Sequence, residues 1–138
     1  IGLANPNALM LANQTFSAVE RVGWPESRII LSQCTIYLAT SPKSNSAYVA
    51  IGKAQKLVQK TGNLEVPDHL RNPSSAMAKE FGHGKNYLYP HDYSEGFVAQ
   101  EYLPEAIKGT AIWIASSNAK EKQTSAQQKE IWKNKYGV

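Results

Sequence analysis

The sequence predicts a mostly α chain, with a compact helical bundle followed by a long irregular tyrosine-rich arm and a C-terminal helix. Three observations carry this. Prolines and glycines divide residues 1–62 into three segments of helical length. Apolar residues recur inside those segments at helical spacing. From Thr61 onward, Pro67, Pro73, Pro90 and Pro104, with Gly82, Gly84, Gly96 and Gly109, interrupt the chain repeatedly, which favours short elements and loops. A length of 138 residues fits one domain, with the helical unit at about 1–62 and the arm and C-terminal helix at about 63–138.

The elements follow in order. Asn5-Pro6 reads as an N-cap followed by proline at the first helical position. Ala8, Ala12, Phe16, Val19 and Val22 then mark one helical face, and Gly23 stops it. Pro25 opens a second helix. Its apolar residues (Ile29, Ile30, Leu31, Ile36, Tyr37, Leu38 and Ala39) cover most of the circumference, which predicts a central, buried helix. Pro42 ends it near Ser41. Ser44 can cap a third helix whose face is Tyr48, Ile51, Ala54 and Val58, with Gly62 as its stop. Very short turns join the three, so an antiparallel packing unit is expected. Asn72-Pro73 announces a short helix capped by Asn72 and closed by Gly82. "FVAQEYL" (97–103) reads as a short helix or a strand, and "AIWIA" (111–115) as a strand. A polar helix from about Ala119 to Tyr136 carries Ile131, Trp132 and Tyr136 as its only apolar stripe.

Composition narrows the function classes. Apolar residues at 42% and charged residues at 19% argue against wholesale disorder. The one cysteine, Cys34, permits no internal disulfide. It lies in an apolar helical run, where an inert buried thiol is expected. No run is apolar for long enough to span a bilayer, so a cytoplasmic protein without a membrane partner is expected. Net charge is +4. Residues 1–42 are neutral and residues 43–118 carry one excess positive charge. The last twenty residues carry Lys120, Lys122, Lys129, Lys133 and Lys135 against Glu121 and Glu130. The chain starts abruptly at "IGLANP", as a piece of a longer protein would.

"GHGKNYLYPHDY" (82–93) concentrates the chemistry-bearing residues. As ligands, His69, His83, His91 and Asp92 form no i, i+4 histidine pair, and no cysteine pair joins them. Asp92 beside His91 lacks a nucleophile to serve. No GxxxxGK[ST] loop is present. These observations point away from metal, cofactor and catalytic sites in this stretch. Two readings remain. Tyr87, Tyr89 and Tyr93, interleaved with Lys79, His83, Lys85 and Asn86, can stack bases and meet phosphates. Alternatively, Tyr87, Tyr89, Tyr93, Phe97 and Tyr102 are packing anchors of an arm docked on its own helices or on another subunit. Asp92, Glu95, Glu101 and Glu105 cancel the local charge and favour packing.

Five stretches then occur in a specific order: "IGLANPNAL", "ERVGWPESRIILSQCTIYLA", "PKSNSAYVAI", "VPDHLRN" and "GKNYLYPHDYSEGFVAQEYLPE". Together they resemble the C-terminal domain of the RarA/MgsA family of AAA+ ATPases, whose eukaryotic relatives are the Werner-helicase-interacting proteins. The resemblance covers about residues 1–109. "PKSN" (42–45) and "HDY" followed by "GFVAQEYLP" are its most specific parts. It implies a collar-like helical domain associated with homotetramer formation. The parent would be a clamp-loader-related, DNA-stimulated ATPase acting in replication-fork maintenance, recombination and repair. ATP and Mg would belong to an ATPase core outside these residues, and this stretch would hold no cofactor of its own. The expected partners are other copies of the chain, the ATPase core of the same chain, DNA and single-strand binding protein. Tyr87, Tyr89, Tyr93, Phe97 and Tyr102 become candidate subunit contacts, and Lys43, Ser44 and Asn45 a candidate contact to the ATPase lid. Lys79 and Lys85, with the C-terminal lysines, are candidate DNA contacts. The chain departs from the family pattern at three positions. Asn5 stands for the usual Asp, which still caps. Trp24 stands for Met, and His83 for Tyr, which speaks against a shared metal there.

Overall fold

The computed structural model describes residues 1–133, 135 and 136, with Lys79 described by its backbone alone. Among the described residues five α-helices are present: α1 (Asn7–Val22), α2 (Ser27–Thr40), α3 (Ser46–Thr61), α4 (Ala76–Glu80) and α5 (Ala119–Trp132), with short 3-10 turns between some of them. No strand occurs among the described residues. The expected mostly α class is the observed one. "AIWIA" and "FVAQEYL" adopt neither strand nor helix. A strand needs a partner for its backbone groups, and in their place side chains from these stretches make the bonds described below.

The chain divides into two compact units: residues 1–53 with 112–127, and residues 54–111 with 128–138. In the first unit, α1 and α2 pack on one another as a helical hairpin. Gly23 closes α1 at φ 73°, its N–H donating to the Val19 carbonyl, a backbone region that costs glycine least. The Trp24–Pro25 peptide is cis. Ser41 is extended ahead of Pro42 and ends α2.

The seam between α1 and α2 is built from small residues. Ala8 and Thr15 are buried on α1, and Ser27 and Cys34 on α2, with Ser41 at its end. The spacing is seven residues on both helices, which keeps them on one face. Small side chains let the helix axes come close and leave the large ones outside. The expectation of an all-round buried α2 is therefore corrected: Ile29 is exposed, and Ile36 is 62% exposed. The same holds for the expected core face of α3, where Tyr48, Ile51 and Val58 are exposed. Within the first unit, the described residues of α3 do not pack lengthwise on α1 or α2 as the three-helix expectation required.

Asn5 is a second correction. It is not the side-chain cap of α1, whose cap position is Pro6. Its Nδ2 donates to the Tyr37 hydroxyl and to Ser41 Oγ, each at 3.0 Å, and the Tyr37 hydroxyl donates to its Oδ1 at 3.2 Å. Asn5 thus ties the start of α1 to the end of α2. Ser41 Oγ gives its own proton to the Tyr37 carbonyl at 2.7 Å.

In the second unit α4 is capped by Ser75, whose Oγ accepts from Ala78 N–H at 3.0 Å, rather than by Asn72. Arg71 Nε donates to the Val66 carbonyl at 2.7 Å and its guanidinium meets Glu65 at 2.8 Å. Gln100, buried, fixes the arm: Nε2 donates to the Leu88 carbonyl at 2.8 Å, and Oε1 accepts from Leu88 N–H at 3.3 Å. One side chain therefore supplies the pairing that a strand would otherwise supply.

Candidate functional site

The "PKSN" turn lies at the start of α3. Its Ser44 faces inward. Ser44 N–H donates to the Ile1 carbonyl at 3.1 Å, and its Oγ accepts from Ser46 N–H at 3.1 Å. Gly2, at φ 54°, sits so close that a Cβ there would meet the Ser44 carbonyl oxygen at 2.8 Å, so this position needs glycine. Lys43 and Asn45 face solvent. The three candidate lid contacts are thus split: Ser44 is structural, and Lys43 and Asn45 are available to a partner.

Beneath this turn lies a carboxylate that sequence reasoning passed over. Glu121 on α5 is 1% exposed. Its Oε2 accepts from Ser116 N–H at 2.8 Å and its Oε1 from Asn118 Nδ2 at 3.0 Å, while its own N–H donates to Asn118 Oδ1 at 2.9 Å. Asn118 thus caps α5, and the Glu121 carboxylate answers to the Asn118 side-chain amide and to Ser116 N–H. The Ser44 and Ser46 hydroxyls also bond the carboxylate. Burial pushes its pKa up, but the bonds from Ser116 N–H, Ser44, Asn118 and Ser46 outweigh that and lower it to about 2. Trp113 Nε1 donates to Ser46 Oγ at 3.1 Å. Residues 112–127 therefore hold the start of α3 in place. The signal was Asn118-x-x-Glu121 ahead of a helix.

In the second unit the candidate anchors separate into two groups. Phe97 and Tyr102 meet Trp132 edge-on, with ring centroids 5.0 and 6.2 Å away, and Tyr136 meets it at 5.0 Å. Lys135 Nζ lies 5.3 Å from the Trp132 and Tyr136 ring centres, 3.2 Å from Glu101 Oε2 and 3.0 Å from the Gln100 carbonyl. Burial raises the Glu101 pKa, but the Leu103 N–H, Lys135 and the Tyr102 N–H together bring it below the ordinary value. Trp132 and Tyr136, from the expected apolar stripe, thus supply the surface on which part of the arm docks. Tyr87, Tyr89 and Tyr93 remain exposed, Tyr89 against the His91 ring at 5.1 Å.

Lys85, a candidate DNA contact, lines an open hollow of about 560 Å³ with Asp68, His69, Phe81 and Asn86. The Lys79 side chain lies outside the described residues. Among the described residues, no group of three or more His, Cys, Asp or Glu side chains is placed to hold a metal ion. Among the described residues no helix is long and apolar enough to cross a membrane.

The dominant surface feature is apolar exposure. Among the described residues only Ala4, Ala8 and Cys34 are buried apolar residues, while Leu9, Phe16, Trp24, Ile29, Ile36 and Tyr48 stand in solvent. Scattered exposure of this kind is ordinary, whereas its concentration on helix faces marks an interaction surface.

Comparison with known proteins places the chain in a family. Residues 1–132 match the family model described as MgsA AAA+ ATPase C terminal. The chain is 44% identical over 115 residues to the replication-associated recombination protein A of Coxiella burnetii, covering 83% of this chain and 26% of that protein. Against the protein of the same name from Bacillus subtilis it is 41% identical over 120 residues, 87% of this chain and 28% of the other. Against the ATPase WRNIP1 of Dictyostelium discoideum it is 37% identical over 129 residues, 91% of this chain and 15% of the other. The chain spans little more than a quarter of these relatives' length at most. It belongs to the MgsA AAA+ ATPase C-terminal family.

Proposed function

We propose that this chain is the self-assembly domain of a larger AAA+ ATPase that acts in replication-associated recombination, and that it forms a homotetramer. The observation that carries this reading is the small-residue seam of the α1–α2 hairpin, which leaves Phe16, Ile29 and Ile36 exposed. Burying such side chains is worth about 1.5–3 kcal/mol each, and other copies of the chain are the covering surface. Tyr87, Tyr89 and Tyr93 are further subunit contacts, and Lys43 and Asn45 meet the ATPase lid. ATP and Mg serve the ATPase core of the parent, which is cytoplasmic. Single-strand binding protein is a further partner of the parent. Hydroxyl-radical footprinting at high and low protein concentration tests the reading. Protection of Phe16, Ile29 and Ile36 is expected at high concentration only. Equal modification at both concentrations would count against it.

A second reading rests on Lys85 and Phe81, a cation and an exposed ring lining one hollow. Single-stranded DNA would place a base on Phe81 and a phosphate near Lys85, though Asp68 in the same hollow opposes it. Fluorescence anisotropy with labelled oligonucleotides decides: affinity that falls steeply with salt supports it, and no binding at low salt removes it.

A further inference from the structure

The first half of α3, all within the first unit, carries a glycine with no intrachain cause. Gly52 lies inside a helix, where glycine is less favourable than alanine. A Cβ built there would meet nothing within 4 Å, and its φ is not positive. Nothing described in the chain therefore requires the missing side chain. A backbone approaching from outside would. Tyr48, four residues earlier and so on the same face, is 79% exposed, with Ile51 and Val49 exposed beside it.

A hollow of about 540 Å³ opens next to this face. Ile1, Leu3, Pro6, Leu9, Leu38 and Ala47 are among its lining residues, and Leu9 is 79% exposed. A projecting ring and an apolar hollow thus meet at adjacent residues, Ala47 and Tyr48, at the start of α3. We propose that this surface is self-complementary: Tyr48 of one copy enters the Leu3–Leu9–Ala47 hollow of a second copy, and the second returns the contact, with Gly52 letting the helices approach closely. This rests on the self-assembly reading and names its contact.

Three features select a second copy as the occupant. A twofold contact requires one patch to contain both halves of a fit, and this patch does. Neither the ring's neighbours Val49, Ile51 and Gly52 nor the named lining residues carry a charged side chain, so the contact itself buries no charged side chain. Twofold repetition also counts each area twice. A tyrosine offers roughly 150–250 Å², and with Leu9, Val49 and Ile51 of both copies the total reaches the roughly 1,000 Å² of a specific interface.

The test compares Tyr48→Ala and Gly52→Ala with the unsubstituted chain, by sedimentation equilibrium and by thermal melting at low concentration. Tyr48→Ala is expected to raise the dissociation midpoint at least tenfold without lowering the low-concentration melting temperature. Gly52→Ala is expected to raise that melting temperature, because it favours the helix, and yet to raise the dissociation midpoint at least tenfold. A merely local role for Gly52 would give the first effect without the second. If the unsubstituted chain assembles and both variants match its midpoint, this contact is overturned while self-assembly stands. If the unsubstituted chain stays monomeric at about 100 µM, both readings fall.

Discussion

The Asn5 amide and the Tyr37 hydroxyl, 32 residues apart, both give and receive a hydrogen bond, at 3.0 and 3.2 Å. With Ser41 they latch the open end of the α1–α2 hairpin, opposite the end closed by Gly23. Tyr37→Phe removes the hydroxyl and leaves the half-buried amide short of partners. A loss of about 1 kcal/mol, within a range of about 0.5–2, is expected in urea unfolding. Asn5→Asp tests the polarity of the latch. Aspartate can accept from Tyr37, but it cannot donate to Ser41 Oγ, whose own proton is committed to the Tyr37 carbonyl. A smaller but measurable destabilisation is expected, and an aspartate variant as stable as the parent would show that Ser41 reorients freely.

Glu121 makes a pH prediction with a definite sign. Its folded pKa is about 2 against an ordinary 4.5. The stability it contributes is fully present above pH 4.5 and is lost as pH falls from there toward 2. Glu121→Gln should flatten stability over that window and cost about 2–3 kcal/mol at pH 7, where hydrogen bonds to a charged acceptor are lost. Circular-dichroism melts of both proteins between pH 2 and 7 check this. Parallel curves would mean that other groups carry the acid response.

Trp132 should be the largest single contributor to the second unit. Phe97, Tyr102 and Tyr136 all meet its ring, and its Nε1 donates to Gln128 Oε1 at 3.1 Å. Trp132→Ala is expected to cost about 3 kcal/mol and to free residues 97–103 for proteolysis. Limited chymotrypsin digestion, with cleavage newly appearing after Phe97 and Tyr102, is the readout. An unchanged digestion pattern would show that the arm does not depend on the ring.

Tyr89 and Tyr93 are exposed, so their loss should not affect folding. The double variant Tyr89→Ala, Tyr93→Ala is expected to melt within about 0.5 kcal/mol of the parent but to assemble more weakly. Assembly at the parent's concentration would remove the arm from the subunit contacts.

Local conformational marks were legible because they act within a few residues. Gly23 and Pro42 stop their helices where the sequence says they should. Asn5 was misread for the same reason: a cap signature is local, whereas its partners lie across the hairpin. Periodicity placed Ile29, Ile36, Tyr48 and Ile51 on helix faces that shun water, but it is silent about what covers them. It also weights large side chains: Ala8 and Cys34 were expected inside, but Thr15 and Ser27, which complete the seam, carry no apolar signal. Asn118-x-x-Glu121 was readable as a helix start. What could not be read is that its carboxylate also serves Ser44 and Ser46, some 75 residues earlier. Of the five aromatic anchors, only the structure separates Phe97 and Tyr102, held by Trp132, from Tyr87, Tyr89 and Tyr93.

The central claim is that copies of this chain cover one another's apolar helix faces. Its most direct test is the solution mass by light scattering across a dilution series. The account predicts four chain masses, each 15.2 kDa, dissociating on dilution. A mass of one chain at every concentration up to about 100 µM would contradict it.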